Sequence, residues 1–276
     1  MSTSKAQMRS NSAAVQNSSA VQDRAVSKRP LAEHEYAAGR YGNAASLALE
    51  ALSESNEDAA ARRLLGKSQL QCGEWKVGIA TLEAASLESP MDDESRILLA
   101  IAYGIVGRRK LSRDLLIGVA RSGRLEEKEL LQVASALESI DESQRALHVC
   151  RIAGRLAPHS AAVSYQMGFL AVRCGEPLGT CEALIRRAVE LDPKNPQYRV
   201  GLASLLLQLG RDVEAFVAVD PIIPSRLDDV SCECCLKKLA NLFFDFDDVP
   251  RAKLCAGRLA AAKRRGDDAE SEEAVA

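Results

Sequence analysis

Cys232, Cys234 and Cys235 are the densest grouping of reactive side chains in the sequence. A thiolate is both a nucleophile and a soft metal ligand. Cys232 and Cys235 also form a Cys-x-x-Cys, the spacing of dithiol redox centres and of one half of a structural zinc site. Zinc in a structural site needs four ligands. Cys255 lies nineteen intervening residues beyond Cys235 and no histidine is near it, so the set is one ligand short. The expectation is a chain with no metal and no cofactor, whose three thiols pack as ordinary side chains. Cys72, Cys150, Cys174 and Cys181 are isolated, and Cys150 and Cys181 fall on inward-facing helix positions, where cysteine behaves as a small hydrophobe. His34, His148 and His159 share no spacing that would bring two of them onto one site, and the acidic pairs Asp228–Asp229 and Asp247–Asp248 read as helix caps. Neither a P-loop nor H-E-x-x-H, G-x-G-x-x-G or G-x-S-x-G occurs. No catalytic residue is assigned.

The elements carrying these residues announce themselves by repetition. Gly39, Gly73, Gly107, Asp141, Gly175, Gly210 and Asp247 follow one another at 34, 34, 34, 34, 35 and 37 residues. Seven residues before each stands Ala32, Gly66, Ala100, Ala134, Gly168, Ala203 or Ala240. Five residues after it (six in the fifth unit) stands Ala44, Gly78, Ser112, Ala146, Cys181, Ala215 or Ala252. Small side chains at two fixed offsets from a turn are what a close helix–helix crossing requires. Ile79, Leu82 and Ala85 show the helical apolar spacing within a unit, and Pro90, Pro158 and Pro193 mark where second helices must stop, with Asp92 and Asp93 placed to cap the next one.

Composition agrees with a folded array: 47% hydrophobic, 27% charged, formal net charge −2. Near-neutrality gives no global attraction to nucleic acid or anionic lipid. The longest apolar run, from Ile97 to Gly107, is eleven residues between two arginines, well short of the roughly 20 a membrane span needs. Residues 1–25 read as a polar disordered leader, 26–262 as the repeat domain and 263–276 as a charged disordered tail. Eight cysteines without a secretory signal suggest a reducing, cytoplasmic setting.

This pattern resembles the tetratricopeptide repeat, whose period is 34. The second unit carries it most fully, through Gly66, Gly73, Trp75, Gly78, Leu82, Ala85 and Pro90, and the fifth is next, through Gly168, Gly175, Cys181, Ala188 and Pro193. The resemblance covers about residues 25–262 as some seven degenerate repeats. Three departures stand out. The aromatic after the turn survives only as Tyr41 and Trp75, the third unit has Arg124 in place of the terminal proline, and Asp220, Pro221 and Pro224 interrupt the sixth unit's second helix. The resemblance implies an all-α, right-handed superhelical solenoid of antiparallel helix pairs, with the first helix of each pair lining the concave face.

It also implies a role as a non-catalytic protein-interaction scaffold or adaptor that binds a peptide or amphipathic helix of another protein. A self-associating or assembly-factor solenoid is the alternative reading. Registered on the repeat, the inner-face candidates are Arg63 and Lys67, then Ile97, Ile101 and Leu131, then Tyr165, Phe169, Val172 and Arg173, and finally Lys237 and Phe244. Tyr165 and Phe169 are the expected anchors, with Arg63, Lys67, Lys237 and Lys238 as a basic rim. The same residues could instead pack unit on unit. Apolar Ile97, Ile101 and Leu131 do not suit base recognition, so no nucleic-acid partner is expected.

Overall fold

A computed structural model describes residues 28–230 and 232–273. Fourteen α-helices follow one another with no strand among the described residues. The pairs are α1 (Lys28–Ala37) with α2 (Tyr41–Glu54), α3 (Ala59–Gln71) with α4 (Trp75–Glu88), and α5 (Asp93–Ile105) with α6 (Arg109–Ala120). Next come α7 (Glu127–Ser139) with α8 (Ser143–Leu156), and α9 (Ala161–Arg173) with α10 (Leu178–Leu191). The last are α11 (Pro196–Gln208) with α12 (Asp212–Val219), and α13 (Glu233–Asp245) with α14 (Val249–Glu273). The seven expected pairs are present, and the fold is an all-α solenoid.

The seven turn markers join the two helices of each pair, and every one has a positive φ, from 59° at Asp247 to 82° at Gly73. Glycine takes that left-handed conformation without strain, and aspartate is among the few other residues that tolerate it. Each marker closes the first helix in the same way. In the second unit Gly73 N–H donates to Leu70 C=O (3.1 Å) and Glu74 N–H to Gln69 C=O (2.9 Å), and Asp141 with Glu142 repeats the pattern in the fourth. These are Schellman caps, which satisfy carbonyls that the helix end would leave unpaired.

Beyond the turn the small residues lie at the crossing. Ala32, Ala44, Ala100, Ala134, Ala146, Cys181 and Ala215 are fully buried, and Ser112 with them. In the second unit the fit is reciprocal. A Cβ added to Gly66 would stand 2.7 Å from Leu82 Cγ, and one added to Gly78 would stand 2.5 Å from Leu70 Cδ2. Each leucine fills the space that the facing glycine leaves empty. Ala240 is the one small position only partly buried.

Second helices end where the prolines predict: α4 stops at Glu88 before Pro90, α8 at Leu156 before Pro158, and α10 at Leu191 before Pro193. The third unit, lacking that proline, ends α6 at Ala120 and turns through Gly123 (φ +69°). Arg124 reaches back to Asp93, at 2.9 and 3.1 Å. Asp93 is thus an ion-pair partner, while Asp92 alone caps α5, accepting from Ser95 N–H at 2.7 Å. In the sixth unit α12 has only eight residues and gives way to a short 3-10 turn at Pro224–Asp229. Arg251 pins that irregular stretch, donating to Asp220 C=O (2.9 Å) and Ile222 C=O (3.3 Å) with its guanidinium 4.5 Å from the Phe243 ring centroid.

Helix α14 continues to Glu273, through most of the stretch that the sequence assigned to a charged disordered tail. Its lysine, arginines and glutamates are strong helix formers and no proline interrupts the stretch, so the helix runs on past Gly266. The leader, residues 1–25, and the last three residues lie outside the described ones. Among the described residues no helix is long and apolar enough to cross a membrane.

Candidate functional site

First helices pack on first helices, α1 on α3, α3 on α5, α5 on α7, α7 on α9 and α11 on α13, whereas second helices pack only on the first helices beside them. That asymmetry makes the first-helix side the inner, concave face of the array. Close backbone packing lapses between α9 and α11, where side chains bridge the gap.

Two apolar recesses open on this face. The larger, about 600 Å³, lies between α5 and α7 over Ile101, Ile105, Leu131, Gln132 and Ser135, with Lys128 at its edge. Ile105 leaves 53% of its surface to solvent. The smaller, about 230 Å³, occupies the α9–α11 gap and is lined by Tyr165, Phe169, Val172, Gly201, Leu205 and Cys235. Phe169 is 42% exposed at its mouth. Tyr165 is largely enclosed: its ring packs tilted against Tyr198, 4.9 Å between centroids, and burial pushes its phenol up to about 12, so it is uncharged. Polar contacts separate the recesses. Gln166 donates to Ser135 Oγ at 2.8 Å, and Arg173 pairs with Glu138.

The other candidates distribute unevenly. Ile97 is only 2% exposed, in the core with Leu116 and Leu130, and offers a partner nothing. It lies in the second turn of α5, against α6 and α7. Ile101, one turn later, does reach the surface of the inner face. Arg63 donates to Pro90 C=O (2.8 Å) and Ser89 Oγ (3.1 Å), while Lys67 pairs with Glu94 at 2.8 Å and covers the Tyr36 ring at 4.6 Å. Both hold neighbouring helices together. Lys238 likewise donates to Ser204 Oγ at 2.6 Å. Lys237 is exposed, and Phe244 is 69% exposed near the end of α13. Ile105, absent from the sequence-level set, is the i+4 neighbour of Ile101, and that spacing was the signal available for it.

Outside the recesses, His34, His148 and His159 are exposed and separate. Cys150 and Cys181 are fully buried, and burial pushes the Cys150 thiol up to about 12, as befits an inert packing group. The cluster at α13 differs from its expectation. Cys232 and Cys234 are exposed and Cys235 half-buried, so two of the three thiols are not packing side chains. Their sulfurs converge: Cys232 Sγ to Cys234 Sγ is 2.8 Å, Cys234 Sγ to Cys235 Sγ is 4.0 Å, and all three lie within 4.8 Å of one another. The physical reason is that Cys232 is the N-cap, with extended backbone (φ −73°, ψ 115°), and so folds its side chain back over the first turn.

Comparison with known proteins finds a repeat family that matches part of the chain. The tetratricopeptide repeat model matches residues 35–102. Among solved structures, a tetratricopeptide repeat protein from Parabacteroides merdae superposes with a TM-score of 0.63 at 11% identity, covering 85% of this chain and 91% of its own. PilF of Pseudomonas aeruginosa superposes with a TM-score of 0.58 at 16% identity, covering 80% of this chain and 99% of its own. YrrB, described as a tetratricopeptide repeat protein with an unusual peptide-binding site, gives 0.50 at 16% identity over 63% of this chain and 89% of its own. These likenesses establish a shared fold. No curated protein matches the sequence.

Proposed function

Taking the chain as a tetratricopeptide repeat protein, we propose that it is a non-catalytic adaptor whose inner face holds an apolar peptide or amphipathic helix of a partner protein. The observation that carries this reading is the pair of apolar recesses on one face, each with a large side chain left to solvent, Ile105 in one and Phe169 in the other. Exposed apolar groups gathered in concave pockets are the usual anchors of helix-in-groove and extended-peptide recognition. Ile101, Leu131, Phe169, Val172 and Phe244 are the contact residues. Tyr165 supports the floor of the smaller recess rather than reaching out of it. Lys237 and Lys128 supply long-range attraction, whereas Arg63 and Lys67 are engaged within the chain. The proposal includes a cytoplasmic setting and no nucleic-acid partner.

The test is capture of the partner by the full-length chain, followed by titration of the identified partner against variants. Phe169→Ala and Ile105→Ala are expected to weaken binding at every ionic strength with helical content unchanged, each by roughly 2 kcal/mol if they act as anchors. Lys237→Ala is expected to weaken it mainly at low salt. Binding indifferent to Phe169→Ala and Ile105→Ala but lost on altering Arg186 and Arg187 of α10 would move the site to the convex face. A chain that light scattering finds as a stable oligomer, with no captured partner, would favour the self-associating solenoid.

A further inference from the structure

We propose that Cys232, Cys234 and Cys235 form a three-sulfur site for a single thiophilic d10 metal ion at the start of α13. All three sulfurs lie within 4.8 Å of one another. A metal–sulfur bond of roughly 2.3 Å puts three sulfurs about 4 Å apart around one ion in a plane, so the observed separations of 2.8 and 4.0 Å need only small side-chain adjustments to admit it. Two of the three donors are exposed, which leaves room for such side-chain rotation.

The donor set selects the ion. Three thiols and, among the described residues, no histidine or carboxylate within the group offer only soft ligands. Soft thiolates favour copper(I) and zinc(II) over calcium, magnesium or manganese. Three donors complete a trigonal copper(I) site, whereas zinc(II) would keep a fourth position for water or an outside ligand. In either case each thiol releases its proton to solvent as its sulfur coordinates, so uptake strengthens as pH rises.

Position gives the site a boundary with the inner face. Cys235 also lines the recess under Phe169 and Tyr165, so an ion at the cluster would sit at the rim of that recess. The site stands on the sulfur geometry alone and does not depend on the adaptor reading.

The experiment loads the full-length, reduced chain anaerobically with copper(I) or with zinc(II), each in competition with a chromophoric chelator. The expected result is one equivalent per chain with an ultraviolet sulfur-to-copper charge-transfer band in the copper arm, or one equivalent of zinc held against the chelator in the other. The two arms distinguish the ions. Cys232→Ser and Cys234→Ser, both at exposed positions, are expected to abolish one-equivalent binding with an unchanged far-ultraviolet spectrum, and Cys72→Ser is expected to leave binding intact. Failure of the wild-type chain to hold either ion, or retention of the ion by Cys234→Ser, overturns the proposal.

Discussion

Tyr165 occupies the space above Gly201: a Cβ added at 201 would stand 2.4 Å from Tyr165 Cε2 and 2.7 Å from its hydroxyl. One ring from α9 thereby bridges to a bare backbone on α11 at the place where those two helices stand apart. An alanine at 201 must displace the ring. Helix propensity favours Gly201→Ala by about 1 kcal/mol, and overpacking opposes it by roughly 1 to 3 kcal/mol. The expected outcome is a net loss of stability, read as a lower urea midpoint, accompanied by a change in Tyr165 fluorescence. A raised midpoint would mean that the ring moves aside freely and only the propensity gain remains.

Gly168 and Gly257 give a matched contrast. A Cβ at Gly168 would meet Ile185 Cγ1 at 2.6 Å and the backbone oxygen of Cys181 at 3.1 Å, while one at Gly257, within α14, meets nothing within 4 Å. Gly168→Ala is expected to destabilise. Gly257→Ala is expected to stabilise by roughly 0.5 to 1 kcal/mol, the propensity term alone. Thermal melts of the two variants check the opposite signs.

Ser112 occupies a crossing position that is alanine in four of the other units, and its buried hydroxyl oxygen has no hydrogen-bond partner. Removing an unpaired buried polar atom at nearly constant volume recovers its desolvation cost, about 1 to 3 kcal/mol. Ser112→Ala is expected to raise the melting temperature. A variant less stable than wild type would reveal a bonded partner for that hydroxyl.

Acid should loosen the caps. Burial works against ionisation of Asp92, yet the Ser95 N–H, the Ser95 side chain and the nearby Lys67 and Arg63 charges outweigh it and hold the carboxyl below its ordinary value of 3.8. A depressed folded-state pKa contributes stability that is present above the unfolded value and lost as pH falls through the folded one. Asp58, capping α3 through Ala60 and Ala61, shifts in the same direction against the same opposing burial. Urea midpoints at about pH 6 and about pH 3 are expected to differ more for wild type than for Asp92→Asn, which keeps the cap and loses the titration. Equal differences would remove Asp92 from the acid response.

The turns and crossings were legible in the sequence because each rests on one residue's local chemistry. Gly73 or Asp141 is chosen for a backbone conformation, and Ala134 for its size, wherever the neighbours lie. The inner-face residues depend on how successive units rotate against one another, which no single unit encodes. Ile97 and Ile101 look alike on a helical wheel, and the placement of α6 and α7 together buries the first and leaves the second at the surface. Arg63 and Lys67 look free in the sequence because Pro90 and Glu94 are contributed by the next stretch of chain. The convergence of the three thiols is not legible in the spacing alone, because it depends on Cys232 being the N-cap of α13, where its sulfur turns back toward Cys234.

Packing restricted to sequence neighbours also governs how this chain acquires its fold. The buried apolar residues form one large cluster running from Ile97 to Cys255 and two small ones, around Leu70 and Leu82 and around Ala32 and Leu64. With nearly every contact made between adjacent helices, little loop entropy stands in the way of starting anywhere, and an array of this kind folds from a nucleus outward. The large cluster is the expected nucleus. The first two pairs then add to it as a growing edge, so amide protons of α1 and α2 should exchange with solvent long before those of α7 and α9.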